Sequence, residues 1–247
     1  MGNFARLAVI AMLLAQHGAT RTQIVSYASG SETARGYLAL PSESGRRPAI
    51  IVVHGDRGLT DWTEEQAQKL AARGYVVLAV DLYRGEVARD AEDAHELSRG
   101  LPDDRALRDL QAAFAYLAAR PDVRKTKIGA IGWNIGGWYA LQLAIHQPEL
   151  AACVVTDSAL PTDTADVARI RAPVLGNFGA DDRGIPAAAL RAFESAMRAA
   201  GGSADLKAYP GASDGFDDPS DTDHFRAGDA ANAWDRTLTF FARTLGR

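Results

Sequence analysis

Six short runs of almost unbroken apolar residues restrict the fold of this 247-residue chain more than any other feature. They fall at residues 49–53, 75–80, 128–131, 153–156, 174–178 and 206–209, and most are apolar at consecutive rather than alternate positions. A strand that is apolar on both sides needs cover on both sides, which is the requirement of a parallel sheet sandwiched between helices. Helical spacing fills the intervals, over 62–72, 91–99, 106–119, 137–145, 187–200 and 230–245. Gly74 and Pro121 follow two of these stretches, where helices stop, and Asp103 or Asp104 is placed to cap the start of the third. Ahead of the alternation, residues 23–27 and 35–40 read as two strands separated by Ser29-Gly30-Ser31, an antiparallel hairpin at a sheet edge. The expected architecture is α/β, a doubly wound, mostly parallel sheet flanked by helices, in one domain over residues 20–247. In such a sheet the functional crevice lies beyond the carboxyl ends of the strands, so the residues just after each run carry the chemistry.

One of those positions is distinctive. The apolar stretch Lys127-Ile128-Gly129-Ala130-Ile131 runs straight into Gly132-Trp133-Asn134-Ile135-Gly136-Gly137 and then into a helix. This is the setting of a nucleophile elbow, G-x-Nu-x-G, in which small residues allow a sharp turn to push one side chain toward substrate. The apex is ordinarily Ser, Cys or Asp; here it is Asn134, whose amide nitrogen is no such nucleophile.

Composition narrows the partners. Lys and Arg number 27 against 31 Asp and Glu, a net charge of −4, which offers no electrostatic footprint for nucleic acid or an anionic membrane. The single cysteine, Cys153, lies inside an apolar run and reads as a small core residue. No glycine-rich phosphate loop or dinucleotide fingerprint is present, so no cofactor is expected. Residues 1–19 read as a signal peptide, with a lone Arg6, an apolar run over 7–15 too short to span a bilayer, and a polar flank; a retained N-terminal helix is the alternative. The expected location is periplasmic or secreted, with the cytoplasm as alternative, and no stable membrane span is expected.

Taken in order, Val52-Val53-His54-Gly55, Asp81-Leu82-Tyr83-Arg84-Gly85, the elbow, Gly179-Ala180-Asp181-Asp182-Arg183-Gly184-Ile185-Pro186 and Tyr209-Pro210-Gly211-Ala212-Ser213-Asp214-Gly215-Phe216 each follow or end a strand. From Gln23 to the C-terminus the chain resembles the dienelactone hydrolase family of α/β-hydrolases. The resemblance implies a Cys nucleophile at the elbow, an acid after a later strand, a His after the last strand, and often a Glu after the early strand. At those positions this chain has Asn134, Asp182, Asp214 and Gly55. Only the acid keeps its type. The fold's oxyanion hole uses backbone N–H groups, here those of Ile135 and of Gly55 or Asp56, and the helix beginning near Gly136 adds its positive end. The resemblance also places a substrate-carboxylate arginine near Arg84; Arg57 and Arg183 follow strand ends as well, and Tyr83 and Trp133 are expected to line the same pocket.

Three readings follow. In the first, Asn134, Asp182 and Asp214 form a centre that acts on a small carbonyl-containing substrate such as an ester or lactone without a covalent acyl-enzyme. One carboxylate then holds a proton, and lyase, isomerase or cyclase steps are open to the same groups. In the second, the chain is a catalytically silent relative that binds a small ligand. In the third, His54 or His224 is recruited as base, although His54 also reads as a satisfied strand-end histidine and His224 as an exposed loop residue. His95 and His146 are expected on helices facing solvent. The segment from Asp214 to His224 is acidic, but its spacing is not that of a calcium loop; it is expected to be solvated, with no metal bound.

Overall fold

A computed structural model describes residues 20–246; the expected leader over 1–19 lies outside the described residues. The elements in chain order are β1 (Arg21–Ser29), β2 (Glu32–Leu40), β3 (Arg47–Val53), α1 (Asp61–Ala72), β4 (Val76–Val80), α2 (Ala91–Gly100), α3 (Asp103–Ala119) and β5 (Val123–Trp133), then α4 (Ile135–His146), β6 (Ala152–Thr156), α5 (Thr164–Val167), β7 (Val174–Gly179), α6 (Ala187–Ala199), β8 (Ala204–Tyr209) and α7 (Ala227–Leu245). All eight strands form one sheet in the order β1-β2-β4-β3-β5-β6-β7-β8. The β1–β2 hairpin sits at one edge and pairs antiparallel to β4, while every pair from β4 to β8 is parallel.

The unbroken apolar runs are explained by two cores. Side chains alternate between faces along each strand, so Ile51 and Val53 join Leu78, Ala130 and Val155 on one side, against Leu110, Phe114 and Leu117 of α3 and Tyr139 and Leu143 of α4. Ile50 and Val52 join Val77, Ile131 and Val154 on the other, against Leu70 of α1 and Leu238, Phe241 and Leu245 of α7. Burying each large aliphatic or aromatic side chain contributes about 1.5–3 kcal/mol, so neither face of the central strands can be left uncovered.

Two local expectations are corrected. Helix α3 has Pro102 at its N-cap with no side-chain cap bond, and Asp103 is its first residue. The Asp103 carboxylate instead accepts from the Tyr139 hydroxyl at 2.8 Å, tying α3 to α4. Arg84, expected near a substrate carboxylate, does not line the cleft over the elbow. Its guanidinium lies 2.8 Å from Asp109, which is fully buried on α3, and 3.1 Å from Glu32 on the edge hairpin. Ser29 also donates to Asp109, at 2.5 Å. This cluster bolts the hairpin and the loop after β4 onto α3.

Removing one member of a buried ion pair strands the other charge, at about 3–5 kcal/mol. Arg84→Ala is therefore expected to lower the urea midpoint by a corresponding amount, while leaving the affinity for any ligand of the cleft unchanged.

Candidate active site

The elbow forms as its glycines require. Asn134, between β5 and α4, adopts φ 50° and ψ −121°, a region that costs a non-glycine residue about 1–3 kcal/mol and persists only where its surroundings over-determine it. Three glycines do so. A Cβ on Gly132 would strike the carbonyl of Gly136, one on Gly136 would strike the carbonyls of Val53 and His54, and one on Gly137 would lie 2.5 Å from Ser158 Cβ. The first turn of α4 is thereby pressed onto β3 and the loop after β6. Thr156 O accepts from Asn134 N at 3.0 Å and holds the apex down.

Above the elbow opens a cleft of about 710 Å³, walled by the loop after β3, the start of α1, one side of α2 and the loop after β8. Asn134 and Asp214 meet in it: Asn134 Nδ2 donates to Asp214 Oδ1 at 2.6 Å. Asp214 is delivered by the turn after β8, which packs on the turn after β7; Ala212 O accepts from Asp181 N at 2.8 Å, and a Cβ on Gly179 would press on the carbonyls of Ala212 and Ser213 at 2.7 and 2.6 Å. Asp182 comes with the same turn, its carboxylate accepting from Gly184 N at 2.7 Å. It makes no hydrogen bond to Asp214 but acts on it through its charge. Although Asp214 is exposed to the cleft, withdrawal of its carboxyl from bulk water raises its pKa above the ordinary carboxylate range, the Asn134 bond opposes this, and the Asp182 and Asp56 charges add to it.

The expected oxyanion donor Ile135 N is present, but an internal acceptor stands on it. Asp56 Oδ1 takes this N–H at 3.3 Å. Burial raises the Asp56 pKa, against the pull of the Ile135 N–H and of His95. Gly55 abuts the elbow, a Cβ there lying 3.7 Å from Asn134 Oδ1. Arg57 and Trp133 line the cleft, whereas Tyr83 is buried behind it, its ring centroid 4.6 Å from that of His54. His95 was expected only to face solvent; it is exposed, and it also lines the cleft.

The other histidines are committed elsewhere. His54 is buried, with Nδ1 donating to Gly55 O at 2.8 Å and Nε2 accepting from Leu82 N at 3.2 Å, so neither nitrogen is free for proton transfer. His224 is exposed and paired with Asp221 at 2.9 Å, an interaction that raises its pKa. Cys153 is wholly buried within β6, and burial pushes its thiol up to about 12.

Two acids escaped the sequence reading. Asp157, just after β6 with φ 44°, is 5% exposed and accepts from Gly179 N at 2.7 Å. Burial pushes its carboxyl up to about 8, and the charges of Asp217, Asp214 and Asp182 add to the shift. Asp217 turns its carboxyl inward to accept from Trp133 Nε1 at 2.9 Å, and removal from water pushes it up to about 7. That overturns the view of the whole 214–224 segment as solvated. Asp157 had a signal, since it occupies the post-strand position that marks the other site residues. Asp217 had none, because its burial depends on where Trp133 points. Among the described residues no group of three or more His, Cys, Asp or Glu side chains is arranged to hold a metal ion. Nor is any helix among them long and apolar enough to cross a membrane.

The family description for dienelactone hydrolases matches residues 34–245. The chain belongs to the dienelactone hydrolase family. Among its relatives, a Methylorubrum extorquens protein named "Putative carboxymethylenebutenolidase" is 33% identical over 222 residues, covering 83% of this chain and 75% of that one. A Bradyrhizobium protein named "Probable 2-oxo-3-(5-oxofuran-2-ylidene)propanoate lactonase" is 31% identical over 229 residues, 87% and 92% of the two chains. The crystal structure of a dienelactone hydrolase-like promiscuous phosphotriesterase from metagenomic libraries superposes with a TM-score of 0.85 at 28% identity, covering 93% of this chain and all of that one. This dienelactone hydrolase family member thus has the α/β-hydrolase fold.

Two outcomes test the site's packing and electrostatics. Gly136→Ala, which forces a Cβ into two carbonyls, is expected to destabilise by about 3 kcal/mol or more, whereas Gly100→Ala, with open space around it, stays within about 1 kcal/mol in the same urea titration. For the pH dependence, the folded Asp157 and Asp217 carboxyls, at about 8 and about 7, lie above the ordinary 3.8, so between these values the native state holds more protons than the unfolded one. Their contribution to stability is full below the unfolded value and is lost as the pH rises through the folded ones. The melting temperature should fall across that window, and Asp157→Asn should flatten the profile.

Proposed function

We propose that the protein hydrolyses small esters or lactones by direct attack of water, with Asp214 as general base and Asn134 as the group that positions it, and that no acyl-enzyme forms. The observation that carries this reading is the 2.6 Å bond from Asn134 Nδ2 to Asp214 Oδ1 at the apex of the elbow, beside the Ile135 N–H. An amide has two N–H donors; one aligns the Asp214 carboxylate and the other is left for water or substrate. The single cysteine is inside β6, so it supplies no nucleophile to the cleft.

In the proposed reaction the substrate carbonyl oxygen displaces the Asp56 carboxylate from Ile135 N–H, where backbone donors stabilise the developing oxyanion. Asp214 takes a proton from a water molecule as its oxygen bonds to the carbonyl carbon. The tetrahedral intermediate collapses, the C–O bond to the leaving group breaks, and Asp214 returns the proton to the departing oxygen. Its raised pKa makes it a stronger base than an ordinary carboxylate, and Asp182 helps to keep it raised. Activity should therefore increase with pH as Asp214 ionises.

One observation favours the alternative of a ligand-binding, silent protein: Asp56 already occupies the oxyanion donor. The two readings part on turnover of aryl esters and simple lactones by the purified protein. For hydrolysis, Asp214→Asn lowers kcat by about 10²-fold or more and Asn134→Ala by a similar factor, while Asp56→Ala raises kcat/KM by freeing the Ile135 N–H. Equal turnover in wild type and Asp214→Asn would remove the proposed base, and a burst of leaving group matching the enzyme concentration would establish the acyl-enzyme that this reading denies.

A further inference from the structure

Beside the cleft lies a second cavity of about 270 Å³, between α1, α7 and the ends of β5, β6 and β7. Three of the chain's four tryptophans, Trp62, Trp133 and Trp234, line it together with Phe225. Trp62 and Trp133 meet edge to face, their centroids 5.0 Å apart and their planes at 74°, so their faces form a corner and not a stack. Gln66, Lys69, Thr156, Asn177, Asp217 and Thr237 are the polar residues of its wall. Asp217 is held by Trp133 Nε1 at 2.9 Å, which leaves its second oxygen uncommitted to that bond. Asn177 is fully buried; its Oδ1 accepts from Arg236 at 2.9 Å and from the Tyr209 hydroxyl at 3.3 Å, but its Nδ2 has no hydrogen-bond partner.

Those features have a shared chemistry. Electron-rich indole faces attract cations, most strongly where water is excluded, and Asp217 in the same wall supplies a counter-charge when ionised, an ionisation that a bound cation favours. The other charged side chain at the cavity, Lys69, is half-exposed and paired with Glu65 at 3.2 Å. The volume exceeds the roughly 150 Å³ that accommodates benzene in a protein interior, so a branched ammonium group with a short hydroxylated arm has room.

We propose that this cavity is a binding site for a small quaternary ammonium ion, its cationic head in the tryptophan corner beside Asp217. Trp62, Trp133 and Asp217 also line the cleft, so they form the partition between the two spaces. The site does not depend on the hydrolytic reading, and its test needs no turnover.

The experiment titrates the full chain with choline, with tetramethylammonium and with 3,3-dimethylbutan-1-ol, the uncharged isostere of choline. It is followed by tryptophan emission and by calorimetry. Choline should saturate one site about tenfold more tightly than the isostere, and tetramethylammonium should bind in the same range as choline. Trp234→Leu and Asp217→Asn should each weaken choline by about tenfold, with an unchanged circular dichroism spectrum showing that the fold persists. Absence of saturation in the millimolar range, equal affinity for the uncharged isostere, or unchanged affinity in a folded Asp217→Asn protein overturns the proposal.

Discussion

How closely α4 approaches β3 governs the rest of the site. With glycine at 132, 136 and 137 the helix start rests on the carbonyls of Val53 and His54 and against Ser158, and no larger residue fits at these contacts. That approach imposes the strained φ of Asn134, turns Ile135 N toward the cleft, and brings the loop after β3 close enough for Asp56 to reach that N–H. Interiors packed at crystal-like density do not relax around an added carbon, so the elbow's geometry belongs to its neighbours as much as to its own sequence.

The second governing quantity is negative charge in a place with little water. Asp56, Asp61, Asp214, Asp217, Asp218 and Asp221 line the cleft, and Asp157 is buried near enough for the charges of Asp214 and Asp217 to act on it. Against them the cleft sets only Arg57 and His95. Arg84, which could have balanced this field, is spent on the buried Asp109, where it joins the edge hairpin to α3. Removal from water raises the pKa values of Asp157, Asp214 and Asp217, and the charges of neighbouring carboxylates add to each shift. Such a centre suits proton transfer and offers little to an anionic substrate group.

Much of this was legible in the chain. Apolar runs located β3 to β8, helical spacing located α1, α2, α3, α4, α6 and α7, and Ser29-Gly30-Ser31 marked the edge hairpin. The elbow was legible because its glycines must occupy fixed offsets from the apex, and Asn134 with Asp214 was legible because each follows a strand end. The short helix α5 was missed, since four residues are too few to show a period. Pairing partners were less legible: Arg84 reads equally well as a ligand for a substrate carboxylate or for Asp109, and Asp56 was read only for its backbone.

The sequence by itself therefore determined the layers, the position of the crevice and the unusual residue at the elbow, because periodicity and glycine placement are local properties of the chain. The tertiary structure decided which carboxylates lose water, which arginine is consumed in the core, and that three tryptophans distant in sequence, Trp62, Trp133 and Trp234, face one cavity. Desolvation and charge pairing depend on distances between segments far apart along the chain. Those distances exist only once the two faces of the sheet have been covered.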